Sequence, residues 1–409
     1  MAGELSDASQ YGEGRSQNRG DPQELNQIGG KETMKRIMQT GVSGVLMAGV
    51  VLAAAGWALA AEPFSASWAK LAEAAKQEGE LNVIVGGGSG RRMSKGWQGA
   101  FGDKYGIKIK TFLGRSRDHW ERTRAERSAG IYSVDAWVTS GRFPQQTLVP
   151  AGVLQPIMPL LMQPEVIEAN VWYRKRHWWA DEQETYAYTF WGNGGFGSVA
   201  YNTKRMPKEE IKKLRSWKDL GRPEFTGQMI VRDYTHDVFV CQYLAYGESW
   251  FQTIWGQQKP KVQANDRQGA EWLARGVGKV FLGGISAEVE DLKSGGLPVE
   301  PQLPHPLDNC NNLSSASGNV VIFDRPKNPN AAKLFLNWLL TKEGQYASQK
   351  DAGANSLRTD IAKDNVREEN QRHEGVEYVF ECCEKRFKEA TQAALDLRRK
   401  VGVKAGLWQ

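Results

Sequence analysis

The chain predicts an α/β protein organised around an open, mostly parallel sheet whose strands end in ligand-binding turns. Three observations carry this. Leu81–Phe101 reads LNVIVGGGSGRRMSKGWQGAF, a short β-branched run, a glycine-serine turn, then apolar residues at helical spacing. Val134–Val138 likewise ends in Thr139, Ser140 and Gly141. Met229–Arg232 and Val280–Leu282 each pass through a Ser- or Thr-bearing loop into a helical segment. Such turns aim unpaired backbone N–H groups at one sheet edge, where α/β proteins hold ligands.

Composition sets the bounds. The 409 residues suit two or three domains, and 40% hydrophobic with 24% charged residues excludes wholesale disorder. From Met34, a basic MKR precedes an apolar stretch that closes on Ala58-Leu59-Ala60, the parts of a secretory signal cleaved after Ala60. The stretch is nearly long enough to be an uncleaved membrane anchor, but small residues crowd its end, which favours cleavage. No Cys follows the cleavage site, so the expected product is periplasmic and not lipid-anchored. Residues 1–33 read as an untranslated or disordered extension. Beyond residue 60, 48 Lys and Arg stand against 41 Asp and Glu, a net +7 that is a weak signal. The densest basic patch, Trp172–Trp179 (WYRKRHWW), interleaves aromatics as nucleic-acid binders do, yet export argues against that partner and a loop or rim is expected. The cysteines, Cys241, Cys310, Cys382 and Cys383, allow three pairings; no second C-x-x-C makes a zinc site, and adjacent Cys382 and Cys383 are not expected to bond to each other.

In order, Trp68–Gly79 is an amphipathic helix closed by glycine. The LNVIV strand follows, with Ser89 as helix N-cap and Met93, Trp97 and Phe101 on one helix face. Gly106–Phe112 alternates as a second strand, Asp118–Gly130 is a charged helix, and Val134–Val138 is a third strand. Pro144–Pro164 is punctuated by proline. Tyr186–Asn202 reads as long strands that leave one domain for another. Then come a helix at Lys208–Leu214, the strand Met229–Arg232, the helix Val238–Leu244, and Val280–Ser286 leading to the helix Ala287–Ser294. Asn319–Phe323 is a strand and Ala331–Gln345 one amphipathic helix; beyond Asp360 the chain reads as polar and helical, with Val379, Phe380 and Phe387 as a packing stripe.

Four blocks are distinctive: Ala125–Asp135 (AERSAGIYSVD), Val199–Thr203 (VAYNT) with Trp217–Leu220 (WKDL), Phe225–Gln228 (FTGQ), and Asn330–Gln345 (NAAKLFLNWLLTKEGQ). Together they resemble the type 2 periplasmic substrate-binding proteins of ABC transporters, in the iron(III), thiamine and phosphonate branch, over about Trp68 to Leu357. The resemblance implies two α/β lobes joined by two hinge-crossing strands, a solute cleft between them, closure on binding, and delivery to a membrane permease. It divides the chain into lobe 1 at 61–190, lobe 2 at 191–315, a return to lobe 1 at 316–352, and a C-terminal helical segment at 353–409. It also implies a monomer with no cofactor and no catalysis.

Ferric binders of that branch use a His, a Glu and paired Tyr, and the corresponding places here are Ser89, Ser140 and Ile285-Ser286-Ala287. Neutral hydroxyls do not offset the charge of Fe(III), so a metal site is not expected. Ser89, Gly90, Ser140, Gly141, Tyr234, Thr235 and Ser286 instead suit an anion, a phosphonate, a carboxylate or a polyol. Arg142 offers a bidentate clamp, as do Arg91 and Arg92, although a solvated surface role is the commoner fate of each. Trp191, beside the expected hinge, is a stacking candidate, and His236 is either an anion donor or a local cap partner. The glycine turn lacks the Lys-Ser/Thr end of a P-loop, and neither G-x-S-x-G nor H-x-x-x-H occurs. An exported hydrolase acting on carbohydrate through paired carboxylates, with tryptophans as sugar platforms, is the competing reading. A ferric-ion binder is the third.

Overall fold

In Leu81–Val85 every residue is buried, Asn82 included, so side chains on both faces of the strand have a core to enter, as its mainly apolar composition requires. The computed structural model describes residues 64–195, 199–232, 237–263, 266–283, 286–305, 307–308 and 311–404. The expected extension and export signal, Tyr234, Thr235, His236 and Cys310 lie outside these residues. Among the described residues no helix is long and apolar enough to cross a membrane.

The strands run in chain order as β1 (Glu80–Gly86), β2 (Lys108–Gly114), β3 (Ala136–Thr139), β4 (Trp178–Trp179), β5 (Tyr188–Thr189), β6 (Asn193–Gly195), β7 (Val199–Asn202), β8 (Met229–Arg232), β9 (Lys261–Gln263), β10 (Val280–Leu282), β11 (Val299–Glu300), β12 (Asn312–Ser314), β13 (Asn319–Ile322) and β14 (Val379–Phe380). The first sheet has the order β2-β1-β3-β13-β5-β4, with β1 parallel to β2 and β3, and β13 antiparallel to β3. The second has the order β11-β7-β10-β8-β9. A small third sheet, β14-β12-β6, lies on the two passages between them. Each large sheet has its own core: Trp97, Phe101, Trp137 and Phe335 pack with the first, and Trp217, Phe239, Phe251 and Trp255 with the second.

Asp135, fully buried just before β3, explains part of the Ala125–Asp135 block. Its carboxylate accepts from the backbone N–H of Asn82 at 2.7 Å and of Asn328 at 2.6 Å, joining β1, β3 and the start of the helix Pro329–Leu340. Burial pushes its pKa up to about 6, against the lowering effect of the Asn328 and Asn82 hydrogen bonds.

Several sequence expectations change. Ser89 does not cap its helix: the helix begins at Gly87, and Gly86 holds the N-cap place with no side-chain bond. Met93, Trp97 and Phe101 are buried as expected, but a turn and a wide π-helical turn at Gln98–Gly102 replace a single regular helix. Ala331–Gln345 is two helices, Pro329–Leu340 and Lys342–Ala352, because Thr341 leaves the helical conformation and its side chain accepts from Gly344 N–H. The C-terminal segment departs most. Val379 and Phe380 form a strand, and only Lys385–Lys404 is a long helix. The long strands expected over Tyr186–Asn202 are the short β5, β6 and β7 instead, and β6 pairs with β12, which pairs in turn with β14. Cys382 and Cys383 are bonded to each other, contrary to expectation, since the turn after β14 brings both side chains against Thr189. Cys241 is disulfide-bonded as well. The basic part of the patch, Tyr173–Arg176, is at the surface or partly covered as expected, whereas Trp178 and Trp179 form the strand β4 and are buried, as is Trp172.

Candidate functional site

In the first lobe, parallel β1 and β3 end side by side, so their turns must meet. Gly86 closes β1, and a Cβ there would lie 3.0 Å from Ser116 Oγ, which is itself 3.2 Å from Thr139 Oγ1 at the end of β3. Gly87 has φ +73°, and an added Cβ would come within 2.9 Å of Ser317 Oγ. Only glycine meets both demands. Gly90 serves packing: its Cβ position is 2.7 Å from Val85 Cγ1.

The stretch Ser315–Asn319, between β12 and β13, ties the two turns together. Ser317 Oγ donates to Gly86 O at 2.7 Å. Gly141 N–H donates to Ser315 Oγ at 3.1 Å, while Asn319 Nδ2 donates to Gly141 O at 2.8 Å. Ala316 in this stretch has φ +45°, a conformation a non-glycine side chain adopts only when its surroundings impose it. Ser89, Ser140, Gly141 and Arg142, all partly exposed, line the two turns.

Arg142 has a buried Nε with no hydrogen-bond partner among the described residues. Lys388, in the first turn of the helix Lys385–Lys404, interacts electrostatically with Arg142 and with the carboxylates of Glu182, Asp181 and Glu184. Burial lowers the Lys388 pKa, opposed by Glu182 and reinforced by Arg142. The C-terminal segment therefore adds a lysine to a mixed group of charges that includes Arg142.

In the second lobe, parallel β8 and β10 end together. The loops after them hold Tyr234, Thr235 and His236, outside the described residues, and lead to Ser286, the first residue of the helix Ser286–Ser294. Where β8 ends, buried Arg232 pairs with Asp266 at 2.9 Å and donates to Gly283 O at 3.2 Å, fixing the bases of both loops. Trp191 is fully buried, edge-on to Phe190 at 5.4 Å and packed on Gly318, so its ring belongs to the core and offers no stacking face. Arg91 is exposed at the rim.

Sequence reasoning passed over Ser116, Ser315, Ser317 and Asn319. Ser116 follows Gly114 at a strand-to-helix turn, the same signature used elsewhere. The other three carried no local signal. A hollow of about 540 Å³, lined by Arg215, Leu244, Asn311, Val376 and Arg386 among others, shares no residue with these turns. Among the described residues no three His, Cys, Asp or Glu side chains gather to hold a metal ion.

No family model matches the chain. A Haemophilus influenzae protein described only as uncharacterized is 26% identical over 276 residues, spanning 64% of this chain and 73% of its own length. The ferric iron-binding protein A of Mannheimia haemolytica, in an open conformation, superposes with a TM-score of 0.60 at 16% identity, covering 79% of this chain and 98% of its own. The Trichodesmium protein FutA, solved with iron and citrate, gives 0.59 at 16%, covering 79% and 99%. This is the two-lobed fold of the type 2 periplasmic binding proteins.

Proposed function

We propose that the protein is an extracytoplasmic solute-binding protein that captures a small anionic solute between its lobes and presents it, as a monomer without catalysis, to an ABC transporter permease. The observation that carries this reading is the paired β1 and β3 turns, where small residues, hydroxyls and the buried, unpartnered Nε of Arg142 converge. Backbone N–H groups, neutral hydroxyls and a guanidinium suit carboxylate or phosphate oxygens. The same groups are poor donors for Fe(III), which favours anionic oxygen ligands. Export through the residue 34–60 segment supplies the compartment.

The test is a thermal-shift screen of the purified chain with inorganic phosphate, phosphonates, citrate, sugars and ferric citrate. One anion class is expected to raise the melting temperature, since a solute that binds only the folded state stabilises it. Ser140→Trp fills the turn and is expected to abolish that shift with the unliganded melting point unchanged. Turnover of a sugar or ester, or a shift given by ferric salt and by no metal-free anion, would overturn the reading.

A further inference from the structure

The groups around Gly141 form a closed ring that passes through the C-terminal segment. Gly141 N–H donates to Ser315 Oγ at 3.1 Å, and Ser315 N–H donates to Glu381 Oε1, also at 3.1 Å. The same carboxylate oxygen accepts from Ser314 Oγ at 2.7 Å. From Glu381 the chain runs through Cys382 to Cys383, whose Sγ lies 3.5 Å from Thr189 Oγ1, with Cys382 Sγ at 3.8 Å. Thr189 Oγ1 donates to Asn319 Oδ1 at 2.8 Å, and Asn319 Nδ2 returns to Gly141 O at 2.8 Å. Glu381, Ser315, Thr189, Asn319 and Cys382 are all at most 3% exposed. Both backbone polar groups of Gly141 are thereby committed, and Arg142 follows directly.

We propose that Glu381–Cys383 positions the solute-binding turn, and that the Cys382–Cys383 disulfide is the form that holds it. This rests on the cleft reading above. Glu381 is a positioning residue: it acts on the turn through Ser315 and touches no solute. The disulfide sulfurs carry no hydrogen, so they meet Thr189 as packing atoms and leave its hydroxyl proton to Asn319. A dithiol reductant breaks the S–S bond, supplies two electrons and two protons, and itself becomes a disulfide. Two S–H donors then stand beside Thr189 in a buried, close-packed site, and the sulfurs retreat to van der Waals separation. Thr189 and Glu381 must yield, and Gly141 loses its fixed orientation.

The test compares backbone hydrogen exchange across Thr139–Arg142, and citrate affinity, in the full chain with and without dithiothreitol. Reduction is expected to speed exchange in that segment about tenfold and to weaken citrate binding about tenfold. The double variant Cys382→Ala, Cys383→Ala is expected to show the fast exchange at once and no further response at this segment to dithiol, which separates this bond from the one at Cys241. Glu381→Leu is expected to do the same under oxidising conditions. Exchange at Thr139–Arg142 that stays slow after the Cys382–Cys383 peptide has gained two hydrogens by mass would overturn the proposal. Faster exchange with citrate affinity unchanged would show a turn held by the C-terminal segment but not used for the solute, overturning the cleft reading and this role in binding together.

Discussion

Lys363 shows how far a single side chain depends on what the fold places around it. Its Nζ donates to Ser356 O at 2.9 Å and Arg358 O at 2.8 Å, next to the buried guanidinium of Arg372. Burial, reinforced by Arg372, brings its pKa down to about 7 from 10.5. A lysine depressed in this way binds fewer protons in the folded state than in the unfolded chain. Stability should therefore rise with pH between about 7 and 10.5, by at most about 1.4 kcal/mol per pH unit for one proton. Lys363→Met should flatten that rise; urea unfolding at pH 7, 8.5 and 10 measures it, and an unaltered slope would assign it to another group. At this scale Ser140, Gly141 and Arg142 were legible in the sequence because a strand-end turn of small and polar residues is a local pattern. Ser315 and Asn319 were not, since the Gly141 they both bond to is more than 170 positions away.

Elements were legible where periodicity and a boundary residue agreed. The strand Met229–Arg232 has the bounds its apolar run suggests, and the helix at Ser286–Ser294 begins one residue from its expected start. The C-terminal segment misled because Val379, Phe380 and Phe387 look like one helical stripe, whereas the structure divides them. Phe380 enters the core of the first lobe, against Trp178 with ring centroids 5.0 Å apart. Phe387 enters the core of the second. The segment is thus a strap fastened to both lobes. Phe387→Ala should cost about 3–5 kcal/mol, as for other fully buried phenylalanines. It should also loosen the helix Lys385–Lys404 from the second lobe, read as faster hydrogen exchange along that helix. A loss below about 1 kcal/mol would mean the helix is not anchored there.

At the scale of the molecule, cations carried by different parts of the chain come near one another. Arg142 belongs to a first-lobe turn, and Lys388 to a helix packed on the second lobe. On the proposed reading, an anion held between them would relieve their repulsion and so favour closure of the lobes. Lys388→Ala should weaken anion affinity by about tenfold while leaving the unliganded melting temperature within about 2 °C, and titration calorimetry reads it. Unchanged affinity would place Lys388 outside the site. By itself the sequence determined the α/β class and the strand-end turns, because strands, caps and glycine turns depend on neighbours a few residues away. It also carried the likeness to two-lobed binding proteins. The burial of Trp191, the joining of the Gly86 and Gly141 turns through Ser315–Asn319, and the pairing of β14 with β12 were decided by the tertiary structure alone. Each depends on which distant segments share one volume, and chain spacing does not encode that.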